Sequence, residues 1–103
     1  MKVNILDKNS IQETLKNLKV DINSFGVETI HIFGSVARND AKSSSDLDVL
    51  VKFKPRKKNY DNFMNLTFFL EDVFGVKVDL ITIDSINGSF KKSVEEDSIL
   101  IEI

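Results

Sequence analysis

The chain contains no cysteine, a single histidine, one proline and four glycines. Without cysteine there is no disulfide, no thiolate nucleophile and no Cys-ligated zinc. One imidazole cannot assemble a multi-His metal site, so any bound metal must be held by oxygen, which points to magnesium or manganese. Neither sign of charge dominates: 14 Lys and Arg stand against 16 Asp and Glu, for a net charge of -2. That balance argues against a protein whose main work is gripping nucleic acid by bulk electrostatics, and no direct nucleic-acid binding is expected beyond a small basic footprint. The N-terminal Met-Lys-Val-Asn-Ile-Leu-Asp has no long apolar stretch. Neither a signal peptide nor a membrane span is therefore expected, and a cytoplasmic location is the default. So few prolines and glycines leave few breaks and no linker, and there is no internal repeat or low-complexity segment. What remains is 103 residues, 42% of them hydrophobic. That suits one domain over residues 1–103, burying somewhat over ~60% of its unfolded surface.

The pattern of apolar residues gives the elements. Ser10 and Glu13 have the spacing of a capping box, and Ile11, Leu15, Leu18, Ile22 and Phe25 then form one helical stripe, with Gly26 as its stop. Thr29–Phe33 is β-rich and runs abruptly into Gly34-Ser35, with a helical turn expected at Val36-Ala37-Arg38. Residues Asn39 to Ser45 are small and polar, hence a loop. Asp46 to Phe53 alternates, with Leu47, Val49, Val51 and Phe53 on one face and Asp46, Asp48 and Leu50 on the other. A basic turn around Pro55 leads to a second helix over Tyr60–Phe74, ended by Gly75. Val76–Thr82 reads as a third strand whose second face holds Lys77, Asp79 and Ile81. A short helix from about Ser89 to Asp97 and an extended segment, Ile99–Ile103, close the chain. The order α-β-β-α-β-α-β predicts an α/β domain with a mixed sheet flanked by helices.

This topology brings three acids together. A strand–helix–strand connection makes the second and third strands parallel, so Asp46 and Asp48 at the start of one meet Asp79 in the first half of the other. A short return after Gly34-Ser35 predicts that the first strand runs antiparallel to the second and ends at the same edge. Carboxylates two residues apart on a strand lie roughly 6–7 Å apart, a repulsion of about 2–3 kcal/mol at an effective dielectric near 20. A divalent cation turns that repulsion into attraction, and two such ions are a known route to phosphoryl or nucleotidyl transfer. Gly34 lets a phosphate approach the backbone, and Ser35 adds a hydroxyl at the start of a helical turn.

Phe33-Gly34-Ser35-Val36-Ala37-Arg38, a ten-residue gap between Ser35 and Asp46, Ser45-Asp46-Leu47-Asp48-Val49-Leu50-Val51 and Val76-Lys77-Val78-Asp79-Leu80-Ile81 together resemble the minimal nucleotidyltransferases of the DNA-polymerase-β-like superfamily. The resemblance runs from about Thr29 to the C-terminus. It implies that Asp46 and Asp48 hold both magnesium ions and that Asp79 holds the one activating the attacking hydroxyl. It further implies that Gly34 and Ser35 bind the nucleotide phosphates, with Arg38 a neighbouring phosphate or structural contact. Where the family usually has Gly after Ala-Arg, this chain has Asn39, a residue that tolerates left-handed backbone. The chain length resembles the stand-alone antitoxins paired with helical HEPN-domain ribonuclease toxins. By that resemblance the expected reaction is magnesium-dependent transfer of AMP from ATP to a tyrosine hydroxyl of the toxin. Two alternatives are a non-catalytic antitoxin that neutralises its toxin by contact alone, and nucleotidyl transfer to RNA or a small molecule.

Other conspicuous residues have plainer readings. His31 is expected to be a half-buried strand residue. Lys52, Lys54, Arg56, Lys57 and Lys58 read as a solvated loop able to meet an acidic partner or a nucleic-acid phosphate. Phe68 and Phe69 are adjacent on a helix, so one of them should face outward.

Overall fold

A computed structural model describes residues 7–38 and 46–103. The loop expected over Asn39–Ser45, with the Asn39 turn, and residues 1–6, read as lacking a long apolar stretch, lie outside the described residues. Ten elements follow one another: helices α1 (Lys8–Asn17) and α2 (Lys19–Asn23), strand β1 (Val27–Phe33), helix α3 (Gly34–Ala37), strand β2 (Leu47–Phe53), helix α4 (Tyr60–Phe74), strand β3 (Val78–Thr82), a 3-10 turn (Ile83–Ser85), helix α5 (Gly88–Asp97) and strand β4 (Ile99–Glu102). The predicted α/β class and mixed sheet are those observed. The expected order gains a break in the first helix and the 3-10 turn, and the helical turn expected at Val36-Ala37-Arg38 is the short α3, beginning two residues earlier.

The first helix departs from expectation at its start. Asp7, not Ser10, occupies the N-cap, and Ile11 N–H already donates to the Asp7 carbonyl at 2.9 Å. Ser10 therefore sits in the first turn, and its hydroxyl donates to the Asp7 carboxylate at 3.0 Å. The two residues compete for one cap, and the acidic residue three positions earlier takes it. The apolar stripe survives a backbone irregularity at Leu18: Ile11, Leu15 and Ile22 are buried, while Leu18 and Phe25 pack at the margin of the core.

Helix α4 begins and ends where the sequence predicts. The Asn59 side chain accepts from Asn62 N–H at 2.8 Å, an N-cap. Gly75 ends the helix in the left-handed region at φ 68, and its N–H donates to the Glu71 carbonyl. Leu66 and Leu70 are completely buried. Phe69 turns inward against Phe25, ring centroids 5.4 Å apart, and Phe68 is the phenylalanine left exposed.

The four strands form one sheet in the order β3-β2-β1-β4. β1 is antiparallel to β2 and β4, and β2 is parallel to β3. One sheet face, carrying Ile30, Ile32, Val49, Val51, Leu80 and Ile101, packs with α1, α2 and α4 into the main core. The other face is covered more thinly: Leu50 joins Ile86 and Val94, with Phe33, Ile81 and Ile83 beside them. His31 is half-buried on that second face, as expected.

The main core depends on α4. Truncating Leu70 to alanine leaves a cavity against the sheet and should cost about 2–5 kcal/mol. Urea denaturation of Leu70→Ala should show that loss as a lower midpoint with an unchanged slope.

Candidate active site

Of the three acids expected to meet, strand register brings Asp48 and Asp79 side by side, while Asp46 stands just before β2. Asp48 pairs with Phe33 on one side and with Asp79 on the other. Parallel in-register partners lie about 4.8 Å apart and point the same way, so Asp48 and Asp79 share the thinly covered face. Two bonds hold the starts of these strands. Leu47 N–H donates to the Lys77 carbonyl at 2.9 Å, and the Glu71 carboxylate, reaching down from the end of α4, accepts from Val78 N–H at 3.0 Å. Glu71 is a positioning residue that no sequence motif marked; a glutamate one turn before a helix stop looks like any solvated residue.

Gly34 follows directly on Phe33 and starts α3, which Val36 anchors in the core. Its φ is 74, where a side chain is strained. A Cβ there would also run into the Asp48 carboxylate. The expectation that this glycine admits a phosphate thus has an internal counterpart: the glycine backbone is pressed against the acid itself. Ser35 is partly exposed in the first turn of α3, and Arg38, exposed at its end, lies close enough to act on Asp48.

Electrostatics tie the group together. Burial pushes the Asp48 carboxyl above its ordinary value of 3.8, the negative charges of Asp79 and then Asp46 push it further, and the Arg38 guanidinium pulls it back. Asp46 and Asp79 are themselves exposed. Asp48 thus feels both neighbouring acids, but among the described residues no three acidic or imidazole groups are drawn close enough to chelate an ion as they stand. The donor set still suits a hard divalent cation: all ligands are carboxylate oxygens, one is held in place by burial, and the two exposed ones are free to rotate toward it. Residues Gly34, Ser35, Arg38, Asp46, Asp48 and Asp79 therefore all lie around the ends of β1, β2 and β3 that were expected to converge.

Two measurements probe this arrangement. Folding favours the protonated form of Asp48, so the stability from this group is present below its unfolded pKa and is lost as pH rises through the higher folded value. Asp48→Asn should therefore melt a few degrees above the parent at neutral pH, with the gap closing as pH falls toward about 4. Gly34→Ala should lose at least about 1 kcal/mol from backbone strain and the collision with Asp48. Adding Asp48→Ala should recover part of that loss, and simple additivity in a double-mutant cycle would show that the two residues do not touch.

Comparison with known proteins identifies the family. A family model described as a nucleotidyltransferase domain matches residues 11–101. The chain is 41% identical over 96 residues, 88% of its length and 94% of the relative's, to MJ1379 of Methanocaldococcus jannaschii, whose name provisionally assigns it as a protein adenylyltransferase. Among solved structures it resembles one described provisionally as a minimal nucleotidyltransferase, with TM-score 0.78 and 27% identity, covering 90% of this chain and 94% of that one. It also shares its fold, at TM-score 0.61 and 17% identity over 86% of this chain and 70% of that one, with a chain from a complex of tri-AMPylated Shewanella oneidensis HEPN toxin with MNT antitoxin. The chain belongs to the nucleotidyltransferase domain family and is a minimal nucleotidyltransferase.

Proposed function

We propose that this protein moves AMP from ATP onto a tyrosine hydroxyl of a HEPN-domain toxin and so acts as its antitoxin, within a single domain over residues 1–103 in the cytoplasm. The observation that carries the reading is the placement of Asp48, in register with Asp79 on one side and pressed on the other by the Gly34 backbone. Asp46, Asp48 and Asp79 would hold magnesium, two ions in all. Bound there, the metal would offset the charge of the triphosphate and of the attacking and leaving oxygens. Gly34 and Ser35 offer the phosphates a close backbone approach and a hydroxyl donor. Arg38, at the end of the same turn, adds a positive charge beside them. The acceptor hydroxyl would lose its proton to solvent as its oxygen bonds to the α-phosphorus in line and the bond from that phosphorus to the bridging oxygen breaks, releasing pyrophosphate.

The carboxylate face is open to solvent at Asp46 and Asp79, which suits an acceptor presented by another macromolecule. Support for the acceptor comes from the AMPylated HEPN toxin in the complex whose fold this chain shares and from the adenylyltransferase name of MJ1379.

The test is incubation with ATP, magnesium and the candidate toxin, read by intact mass. One or more AMP masses should appear on the toxin, and Asp46→Asn or Asp48→Asn should lower the rate by at least about a hundredfold while the domain stays folded. Full labelling by either variant would overturn the assigned roles. Toxin inhibition in a mixture lacking ATP would favour contact alone.

A further inference from the structure

At the other end of β2 the protein carries the opposite charge. Lys52 and Lys54 lie four and six residues beyond Asp48, roughly 13–20 Å away along the strand, and Arg56, Lys57 and Lys58 follow in the turn. Lys52 pairs with Glu28 at 3.1 Å and Lys58 with Asp84 at 2.8 Å, which fixes their ammonium groups without removing the excess of cations. Two open clefts meet at Lys58. One, of about 300 Å³, has four cations in its lining, Lys52, Lys54, Arg56 and Lys58, against the single carboxylate of Asp84, beside Phe53, Pro55 and Ile83. The second, of about 380 Å³, is lined by Tyr60, Phe63 and Thr82. Tyr60 is 77% exposed at the first turn of α4, so an aromatic face stands in solvent next to a row of cations.

The turn itself is built against its own preference. Lys57 N–H donates to the Lys54 carbonyl at 2.9 Å, closing a turn with Pro55 in its second position and Arg56 in its third. Arg56 has φ 68, and among the described residues it is the one non-glycine in the left-handed region. Glycine is the residue that such a third position favours. The turn is also held firmly: Lys54 N–H donates to the Gly26 carbonyl at 2.8 Å, and Lys54 Nζ to Asn23 Oδ1 at 3.1 Å. An arginine held in the left-handed position of a firmly held turn, on the wall of a cleft rich in cations, is a feature that folding alone does not call for.

We infer that the carboxyl ends of β2 and β3, with Arg56, Lys58 and Tyr60, form a binding site for single-stranded nucleic acid, separate from the carboxylate site. Cations along one cleft suit successive phosphates, and an exposed aromatic in the adjoining cleft suits an unstacked base. An acidic protein surface could use the cations as well, and a base stacked on Tyr60 is what sets an unpaired strand apart from it. The net charge of -2 keeps binding modest and local, compatible with a small basic footprint on an otherwise balanced chain. This site goes beyond adenylyl transfer and does not depend on it.

The test uses the full chain in EDTA without nucleotide, so the carboxylate site takes no part. Fluorescence anisotropy with labelled 12-mers, U-tract RNA and T-tract DNA, should give saturable binding with a Kd on the order of 10 µM at about 50 mM salt. Affinity should weaken roughly tenfold or more by about 200 mM. Preference for one 12-mer would identify the natural strand, and equal binding supports the site as well. Arg56→Gly should weaken binding at least threefold while raising Tm, since it relieves the turn, a combination that a purely structural arginine would not produce. Tyr60→Ala should weaken binding about fivefold or more with the salt slope unchanged. Absence of binding at low salt, or full affinity in Arg56→Gly, would overturn the proposal. So would equal binding of a poly-glutamate peptide or a duplex with Tyr60→Ala indifferent.

Discussion

Strand β2 is hydrogen-bonded on both sides, antiparallel to β1 and parallel to β3, and the rest of the molecule is arranged around that double pairing. One face of the strand is apolar through Leu47, Val49, Val51 and Phe53, and burying it fixes the register. A slip by one residue would turn all four side chains to the thinly covered face. The same register lines Asp48 up with Phe33 and Asp79. Core packing on one side of the sheet therefore sets the carboxylate geometry on the other. The elements that complete it, the Glu71 carboxylate on Val78 N–H and the Lys77 carbonyl on Leu47 N–H, act at the point where the two parallel strands begin.

Against this frame the contact between Gly34 and Asp48 has two consequences. It places the end of β1 and the start of α3 directly against an acid, and that acid is one whose pKa is raised chiefly by burial. A carboxylate kept in such a place, next to two others, opposes folding at neutral pH. It is the kind of local cost that a fold carries where charge of the opposite sign is to be received. A cation bound there would reverse the sign of that term.

Charge is distributed along β2 rather than over the surface at large. Acids gather where β2 and β3 begin and cations where they end, with the sheet between them. A chain that is nearly neutral in total thus has two poles, and its composition alone conceals both. The exposed Phe68 and Tyr60 on α4 are likewise invisible to a count of aromatics, because exposure depends on which side of the helix meets the sheet.

Periodicity made the strands and helices legible. Residues spaced by two and by three or four fall on common faces whatever the tertiary context, so α4 could be read from Tyr60 to Phe74, and Asp48 could be placed opposite Leu47 and Val49. Chain connectivity made the parallel pairing legible, because a helix between two strands leaves few alternatives. The first cap was misread because Asp7 and Ser10 both satisfy the local pattern, and only the backbone decides between them. What the amino-acid sequence determined by itself was therefore the class of fold and the set of acids, since both follow from local spacing and crossover handedness. Only the tertiary structure decided that Gly34 touches Asp48, that Glu71 secures β3 and that Arg56 stands in a left-handed turn. These are contacts or conformations between segments distant in the chain or against local preference, and no local pattern carries them.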